Sequence, residues 1–204
     1  MTRTDSTSQF RAERQLILLC ASTAARRNAL RERAWRLIDG IDWAHLAEEL
    51  RLRRLLPTLG PRVLQLAEGR ASDDFLAAVD GALVTGRRHG TCQQLVGAYA
   101  IEALADAGIR CTPLKGPWLG ENIYADPGRR LSVDIDLLVD SEQLSAAVKV
   151  VRGLGYNAPT DPVDSDGLPL LHFALTHERG ELPPVELHWR VHWYERSFAR
   201  ARVS

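Results

Sequence analysis

The sequence predicts an α+β fold, with α/β as the alternative, in which an α-helical N-terminal region over residues 1–108 precedes a mixed β-sheet with flanking helices over residues 109–204. Two observations support this division. Apolar residues recur at helical spacing through the first region. After Gly108, short segments with alternating apolar and polar residues are interspersed with helical patterns, which is typical of domains built around a mixed sheet.

The composition indicates a globular chain and argues against several functional classes. The 204 residues suffice for one domain, or for one catalytic domain with a helical extension. The 26 basic residues balance 26 acidic ones, which argues against a strongly basic nucleic-acid coat or an acidic tail. Three scattered cysteines without a CxxC pair indicate reduced thiols in a cytosol rather than a disulfide scaffold or a structural zinc module.

One apolar run, residues 16–25, ends in small residues as a signal peptide does. The residues before it form a long polar stretch that includes Asp5 and Glu13, which argues against a secretory signal. No segment approaches the roughly 20 apolar residues of a membrane span. We therefore expect a soluble, cytoplasmic protein with no membrane partner.

Helix-start and helix-stop residues predict four helices in the N-terminal region. Asp42 is a suitable N-cap for the first, and the second begins near Pro61. The third begins at Ser72, whose two following aspartates suit a helix N-terminus. The fourth covers residues 91–107 and ends before Gly108. Arginine clusters on these helices are interpreted as solvated faces, and the alternative of a nucleic-acid surface is disfavoured by the interleaved acids.

Four strands are predicted after Gly108, together with a short helix that begins at Pro117 and a longer helix that follows Asp140. The strands cover residues 109–114, 132–139, 170–176 and 185–193. Asp140 can cap the helix, with Gln143 three positions later. The proline- and acid-rich stretch 157–169 is predicted to be a loop.

Asp134 and Asp136 lie two positions apart on the predicted strand 132–139. Because alternate side chains of a strand share a face, both carboxylates project together, whereas Val133, Ile135 and Leu137 face the core. Two unpaired carboxylates this close repel each other, and a bound dication removes the repulsion. The pair by itself is also compatible with a polar, exposed edge strand.

A third carboxylate comes from the predicted strand at residues 184–193, which alternates strictly and places Glu186 and His188 on its polar face. If this strand lies beside the strand of the two aspartates, three hard oxygen ligands meet, a set that suits Mg²⁺. We therefore predict that Asp134, Asp136 and Glu186 are metal ligands and catalytic residues. Two such ions form the arrangement used for phosphoryl or nucleotidyl transfer.

Two histidines on this strand offer a zinc site as an alternative. His188 and His192 are four residues apart, a spacing that binds zinc on a helix. On a strand the same spacing separates them by about 13 Å, which disfavours the alternative. His188 is instead expected to face the site, as a partner of Glu186 or a phosphate contact. His172 and His177 lie in no motif and are interpreted as structural or loop residues.

Lys115 and Gly116 stand between a predicted strand and a short helix that begins at Pro117. Gly116 lets the backbone approach a ligand closely, and the free N–H groups of a helix N-terminus attract anions. Lys115 is one of only two lysines against 24 arginines, which indicates that a compact charge is required at this position. Chance placement on a loop is the alternative.

Four motifs, taken together, resemble one known family. They are Leu114–Lys115–Gly116; Tyr124, Asp126, Pro127, Gly128 and Arg130; Asp134 and Asp136; and Glu186, His188 and Trp189. The same motifs occur in the same order in the uncharacterised nucleotidyltransferase family of the DNA polymerase β-like superfamily. The resemblance covers residues 114–189 well and the preceding helices loosely. It implies a nucleotidyltransferase-like mixed sheet and a catalytic core over residues 109–204.

The resemblance also implies a reaction and its ligands. An acceptor hydroxyl or phosphate attacks the α-phosphorus of an NTP such as ATP, and pyrophosphate leaves, with two Mg²⁺ ions (or Mn²⁺) on the three acids. Lys115, Gly116, Arg130 and His188 are expected to bind the nucleotide. The acceptor is a small molecule, a peptide, a protein or an RNA, and no DNA partner is expected.

Two features depart from the family pattern. The wider superfamily usually has serine after its first glycine, whereas this chain has Pro117, which has no N–H group to offer a phosphate. The chain also ends eleven residues after Trp193, so we expect a minimal or truncated core without the C-terminal helices that would bind the acceptor. A non-catalytic nucleotide-binding or antitoxin-like interaction module with the same fold is the alternative function.

Overall fold

The computed structural model describes residues 4–157 and 172–189. The chain divides into two compact units, of which unit 1 comprises Met1–Arg88 and Gly128–Leu131. Unit 2 comprises His89–Pro127 and Ser132–Ser204. The functional boundary expected at residue 108 stays a prediction. None of the helices in the described part of the chain combines the length and the apolar character needed to cross a membrane.

Unit 1 is built from helices, most of which bury apolar residues in a common core. They are α1 (Thr4–Ala21), α2 (Ala24–Ala29), α3 (Arg31–Ile38), α4 (Trp43–Leu52), α5 (Leu56–Ala67) and the first half of α6 (Asp73–Asp106). Leu16, Leu46 and Phe75 are among the fully buried residues of this core. Asp42 caps α4 as predicted, because its carboxylate accepts a hydrogen bond from the N–H of His45 at 3.0 Å.

Helix α5 begins earlier than the sequence predicted. Its first residue is Leu56, so the start predicted near Pro61 is wrong. Pro57 lies in the first turn, where a missing N–H costs nothing. Pro61 lies inside the helix and removes one backbone hydrogen bond. The burial of Leu59 and Val63 in the core of unit 1 offsets that loss.

Helix α6 is one continuous element of 34 residues, so the prediction of two separate helices is wrong. Ser72 caps it as expected, since its hydroxyl accepts a hydrogen bond from the N–H of Phe75 at 3.2 Å. Gly86 and Gly90 do not end the helix. A Cβ atom at Gly90 would lie 2.6 Å from the carbonyl oxygen of Pro127. The absence of a side chain at these glycines therefore allows two backbone segments to approach each other closely.

Within the described residues of unit 2, five strands form one mixed sheet in the order β1-β2-β5-β4-β3. The strands are β1 (Cys111–Pro113), β2 (Ile135–Val139), β3 (Tyr156–Asn157), β4 (His172–His177) and β5 (Val185–His188). β2 and β5 are parallel, and the other neighbouring pairs are antiparallel. The α+β class, with a helical N-terminal region and a mixed sheet, is confirmed.

Strand β3 was not predicted, because two residues are too short for an alternating pattern to be recognised. Asn157 belongs to this strand rather than to the predicted loop, and the rest of that loop lies outside the described residues. Asp140 accepts a hydrogen bond from the N–H of Glu142 at 3.0 Å. It thereby caps the 3₁₀ turn Ser141–Gln143, which leads into α8 (Leu144–Gly153).

The core of unit 2 lies on the apolar face of the sheet and fixes how its strands align. Leu137, Val185 and Leu187 are among its buried residues, together with Val151 of α8. A further helix, α7 (Pro117–Tyr124), follows the turn after β1. Because successive side chains alternate between faces, burying the apolar residues of β2 and β5 directs their polar residues to one common side.

Candidate active site

The parallel pairing of β2 with β5 brings the three acidic residues singled out in the sequence together. Asp136 lies directly opposite Glu186 in the register. One carboxylate oxygen from each of Asp134, Asp136 and Glu186 lies within 4.8 Å of the other two. This separation is small enough for one or two shared cations, and the oxygen-only donor set is the type that Mg²⁺ prefers.

The two aspartates occupy different local structures, although the sequence predicted one strand that includes both. β2 begins only at Ile135, so Asp134 lies in the bend before it. Val133, which was expected to face the core, is exposed, and that part of the prediction is wrong. Residues 132–134 precede the paired part of β2. The chain can therefore bend there and direct the Asp134 carboxylate toward that of Asp136.

Two polar side chains hold this bend, and sequence reasoning did not single them out. The hydroxyl of Ser132 donates to Oδ1 of Asp134 at 3.0 Å. The amide of Gln93 donates to the carbonyl oxygen of Asp134 at 3.3 Å. Ser132 lies two residues from an aspartate, which is a weak local signal. Gln93 lies 41 residues away on α6, and nothing in its neighbourhood reveals the contact.

Asp136 is buried, yet its carboxylate is held in the ionised form. Its Oδ1 accepts hydrogen bonds from Nζ of Lys115 at 3.0 Å and from Nε2 of His188 at 2.9 Å. Burial alone would raise the pKa, but the hydrogen bonds from His188 and Lys115 outweigh it and hold the pKa of Asp136 below its usual value. Its buried Oδ2 has no hydrogen-bond partner among the described residues. A buried anionic oxygen without a partner is unfavourable, and a bound cation would satisfy it.

Lys115 is placed over the aspartates by the end of β1. The N–H of Leu114 donates to the carbonyl oxygen of Asp136 at 3.1 Å, which extends the β1–β2 contact by one residue. Nζ of Lys115 lies 3.8 Å from Oδ2 of Asp134, in addition to its contact with Asp136. Partial burial opposes the charged form, but the hydrogen bond and the attraction to Asp136 raise the pKa of Lys115 above its ordinary value.

Gly116 makes the sharp turn from β1 into α7. Its φ of 73° and ψ of −134° form a combination that residues with a Cβ atom rarely adopt. A Cβ atom there would also lie 3.3 Å from the hydroxyl oxygen of Ser132. Pro117 occupies the first helical position, as the sequence predicted. Lys115 and Gly116 thus lie beside the carboxylates, while their role in binding a nucleotide stays a prediction.

His172 lies beside Glu186 and His188, a position that the motifs of the sequence did not indicate. The antiparallel register places His172 of β4 directly opposite His188 of β5. Their rings lie 4.9 Å apart between centroids. Nε2 of His172 is 3.6 Å from Oε2 of Glu186, and Nε2 of His188 is 3.4 Å from the same oxygen. The signal for His172 is the pairing of two distant strands, which its neighbouring residues do not encode.

The described part of unit 2 does not include two of the residues considered in the sequence. Arg130 belongs to the segment Gly128–Leu131 of unit 1, where it is half-buried. Its expected contact with the triphosphate stays a prediction. His192, the partner of His188 in the alternative zinc site, lies outside the described residues.

A cavity of about 420 Å³ adjoins the acidic cluster in unit 2. Lys115 and Asp136 form part of its wall. Other parts of the wall are mainly apolar, with Leu95 and Trp118 exposed, and Gln93 contributes a polar amide. Such a combination of apolar surface, one aromatic ring and a few polar groups is typical of a small-molecule site.

The family model described as an uncharacterised nucleotidyltransferase matches residues 39–203 of the chain. The chain belongs to this family. The match includes the Lys115 turn and all three clustered acids, and it confirms the resemblance found in the sequence motifs. No curated protein matches the sequence. Family membership supports nucleotidyl transfer as the general activity, and the carboxylate cluster is compatible with it.

Proposed function

We propose that the protein is a Mg²⁺-dependent nucleotidyltransferase that moves a nucleoside monophosphate from an NTP, such as ATP, to a hydroxyl or phosphate group of an acceptor. The convergence of Asp134, Asp136 and Glu186 is the observation that carries the proposal. The buried, unpartnered Oδ2 of Asp136 adds to it, because a cation would remove the cost of leaving that oxygen unsatisfied.

The three carboxylates are the residues that would hold the two ions, with Mn²⁺ as a substitute for Mg²⁺. Bound ions in such a site neutralise phosphate charge and activate the attacking oxygen. Asp136 contributes a carboxylate that is already ionised, and Glu186 presents its carboxylate from the neighbouring strand in a fixed register. Ser132 orients Asp134 through its hydroxyl, which limits the rotamers that this ligand can adopt.

Lys115 and Gly116 form the proposed phosphate side of the site. The side chain of Lys115 is 44% exposed and has a flexible stem, so its ammonium can turn from the aspartates toward an incoming phosphate. The N-terminus of α7 offers N–H groups and a favourable dipole to the same anion. Pro117 removes one of those N–H groups, which makes the charge of Lys115 more important here. Arg130 is proposed as an additional phosphate contact.

The cavity beside Lys115 and Asp136 is the proposed position of the nucleobase. The exposed ring of Trp118 offers a stacking surface for a flat heterocycle. The amide of Gln94 can donate to and accept from the edge of a base, and it lies in the same cavity wall.

A label-transfer experiment tests the proposed activity. The protein is incubated with each α-labelled NTP, Mg²⁺ or Mn²⁺, and cell extract as a source of acceptors, and both labelled product and pyrophosphate are measured. Asp136→Asn should lower transfer by on the order of 100-fold or more, because one charged ligand is lost. Asp106→Asn makes the same chemical change at an exposed position near the end of α6 and should leave transfer unchanged.

The same experiment separates catalysis from binding. NTP affinity is measured in parallel from the rise in melting temperature that NTP and Mg²⁺ produce. If NTP stabilises the folded protein but no label reaches any acceptor under any of these conditions, transfer is refuted and the non-catalytic nucleotide-binding module is supported.

A further inference from the structure

Glu186 belongs to two groups of potential ligands in unit 2. The first group contains the aspartates, and the second contains His172 and His188. In the second group one nitrogen from each histidine and one oxygen of Glu186 lie within 4.8 Å of one another. The proposed two-metal reaction holds its ions with oxygen ligands alone, so neither imidazole is a metal ligand in it.

The separations in the second group match those of ligands around one small dication. Two ligand atoms at about 2.0–2.1 Å from a tetrahedral Zn²⁺ lie about 3.3 Å apart. Oε2 of Glu186 lies 3.4 Å from Nε2 of His188 and 3.6 Å from Nε2 of His172. Oε2 of Glu186 therefore has nearly the separation from each nitrogen that a shared ion requires, and the ligand nitrogens of the two histidines lie within 4.8 Å of each other.

The backbone register, rather than chance rotamers, produces this arrangement. His172 and His188 are directly opposite each other in the antiparallel β4–β5 pair. Glu186 lies two residues before His188, and therefore on the same face of β5. Directly opposite residues on one face, such as the two histidines, have Cβ atoms about 4.5–5.5 Å apart. Diagonal neighbours such as His172 and Glu186 are about 7–8 Å apart, a distance that aromatic and long side chains can span.

We propose that His172, Glu186 and His188 bind a transition-metal dication, with Zn²⁺ as the best-fitting ion, beside the oxygen-only Mg²⁺ site. Imidazole nitrogens favour zinc and neighbouring transition metals, whereas Mg²⁺ favours oxygen. Three protein ligands leave a fourth position open for water or a phosphate oxygen. The side chain of His172 is 38% exposed, which gives the ion access from solvent.

His188 has to change one contact when the ion binds. Its Nε2 donates a hydrogen bond to Oδ1 of Asp136. To bind the ion, Nε2 has to lose the proton of that hydrogen bond. Asp136 keeps its contact with the ammonium of Lys115, so its buried carboxylate remains partnered. The two sites share Glu186, yet they differ in ligand chemistry and can be distinguished by the ion that each one prefers.

Zinc binding without nucleotide tests the proposal. Metal-free protein is titrated with Zn²⁺ by calorimetry. A second titration uses Co²⁺, whose visible absorption reports nitrogen ligation. His172→Gln should weaken Zn²⁺ binding at least about tenfold. This is the lower end of the loss in metal affinity caused by replacing a residue that only hydrogen-bonds to a metal ligand. His172→Cys supplies another zinc ligand and should restore binding. His177→Gln changes a histidine on the opposite face of β4 and should have no effect.

The oxygen site is tested separately with Asp134→Asn, which should weaken Mg²⁺ binding and leave Zn²⁺ binding nearly unchanged. Equal Zn²⁺ affinity in the parent and in a folded His172→Gln protein would overturn the proposal. Loss of Zn²⁺ binding in Asp134→Asn to the extent seen in His172→Gln would also overturn it, because zinc would then occupy the carboxylates. Since no nucleotide is present, these results are independent of whether the protein transfers nucleotides.

Discussion

Replacing Lys115 with alanine should affect metal binding and nucleotide binding in opposite directions. Its ammonium lies 3.0 Å from Oδ1 of Asp136 and 3.8 Å from Oδ2 of Asp134. These are two of the three carboxylates proposed to hold Mg²⁺. An incoming dication must therefore displace the ammonium, so Lys115 competes with the metal until a phosphate offers it another partner.

The size of the effect follows from the contact with Asp136. A hydrogen bond to a charged group contributes about 1.5–3 kcal/mol, but an exposed ion pair contributes only about 0.2–1 kcal/mol. The side chain of Lys115 is 44% exposed and that of Asp136 is fully buried. The pair is therefore intermediate between a buried charged hydrogen bond and an exposed ion pair. We expect about 1–2 kcal/mol, so Lys115→Ala should bind Mg²⁺ roughly 5- to 30-fold more tightly when no nucleotide is present.

Nucleotide affinity should change in the other direction. Lys115 is proposed to contact the triphosphate, so Lys115→Ala should raise the NTP dissociation constant several-fold at saturating Mg²⁺. Calorimetry of Mg²⁺ alone, and then of a non-hydrolysable NTP analogue, measures the two affinities. Lys149→Ala, at the exposed second lysine of the chain on α8, is the matched control and should change neither. Mg²⁺ binding that is no tighter in Lys115→Ala than in the parent would refute the competition.

Three further predictions concern the supporting structure. Ser132→Ala should weaken Mg²⁺ binding about 10- to 100-fold, because Asp134 loses its orienting hydrogen bond; unchanged affinity in a titration would contradict this. Gly90→Ala should lower the free energy of unfolding by about 1–3 kcal/mol, since its Cβ would lie 2.6 Å from a carbonyl oxygen. At Gly81 a Cβ would meet no described residue beyond its own stretch of helix within 4 Å, so Gly81→Ala should raise that free energy by up to about 1 kcal/mol in urea unfolding. Burial raises the pKa of Cys20 from 9.0 to about 12, so alkylation followed by mass spectrometry should modify Cys20 only on unfolding; modification as fast as in the unfolded chain would disprove its burial.

The sequence predicted well those features that depend on neighbouring residues. The Asp42 cap and the Gly116–Pro117 turn each involve atoms only a few positions apart, so local residue chemistry is sufficient to recognise them. Polar alternation around Glu186 likewise identified a half-buried strand. The continuity of α6 through Gly90 could not be recognised, because it depends on a backbone segment 37 residues later that occupies the space of a missing Cβ.

His172 shows the same limit within the candidate site. Its own strand places it on one of two faces, but only the pairing of β4 with β5 puts it opposite His188. That pairing depends on which apolar residues are buried together, and single-sequence patterns do not specify partners across a sheet. The start of β2 at Ile135 depends similarly on the strand that it pairs with, and hydrophobic alternation alone extended it too far toward Val133.

The apolar core of unit 2 therefore determines which side chains of the sheet face the acidic cluster. Val185 and Leu187 are fully buried, and they fix which side of β5 faces the acidic cluster. A slip of one residue between β2 and β5 would direct these two side chains to the site and turn Glu186 into the core. It would expose two large apolar groups and bury a carboxylate, and both changes are strongly unfavourable. Substitutions that weaken this packing should consequently reduce metal affinity before they unfold the sheet, even though none of the replaced residues contacts a ligand.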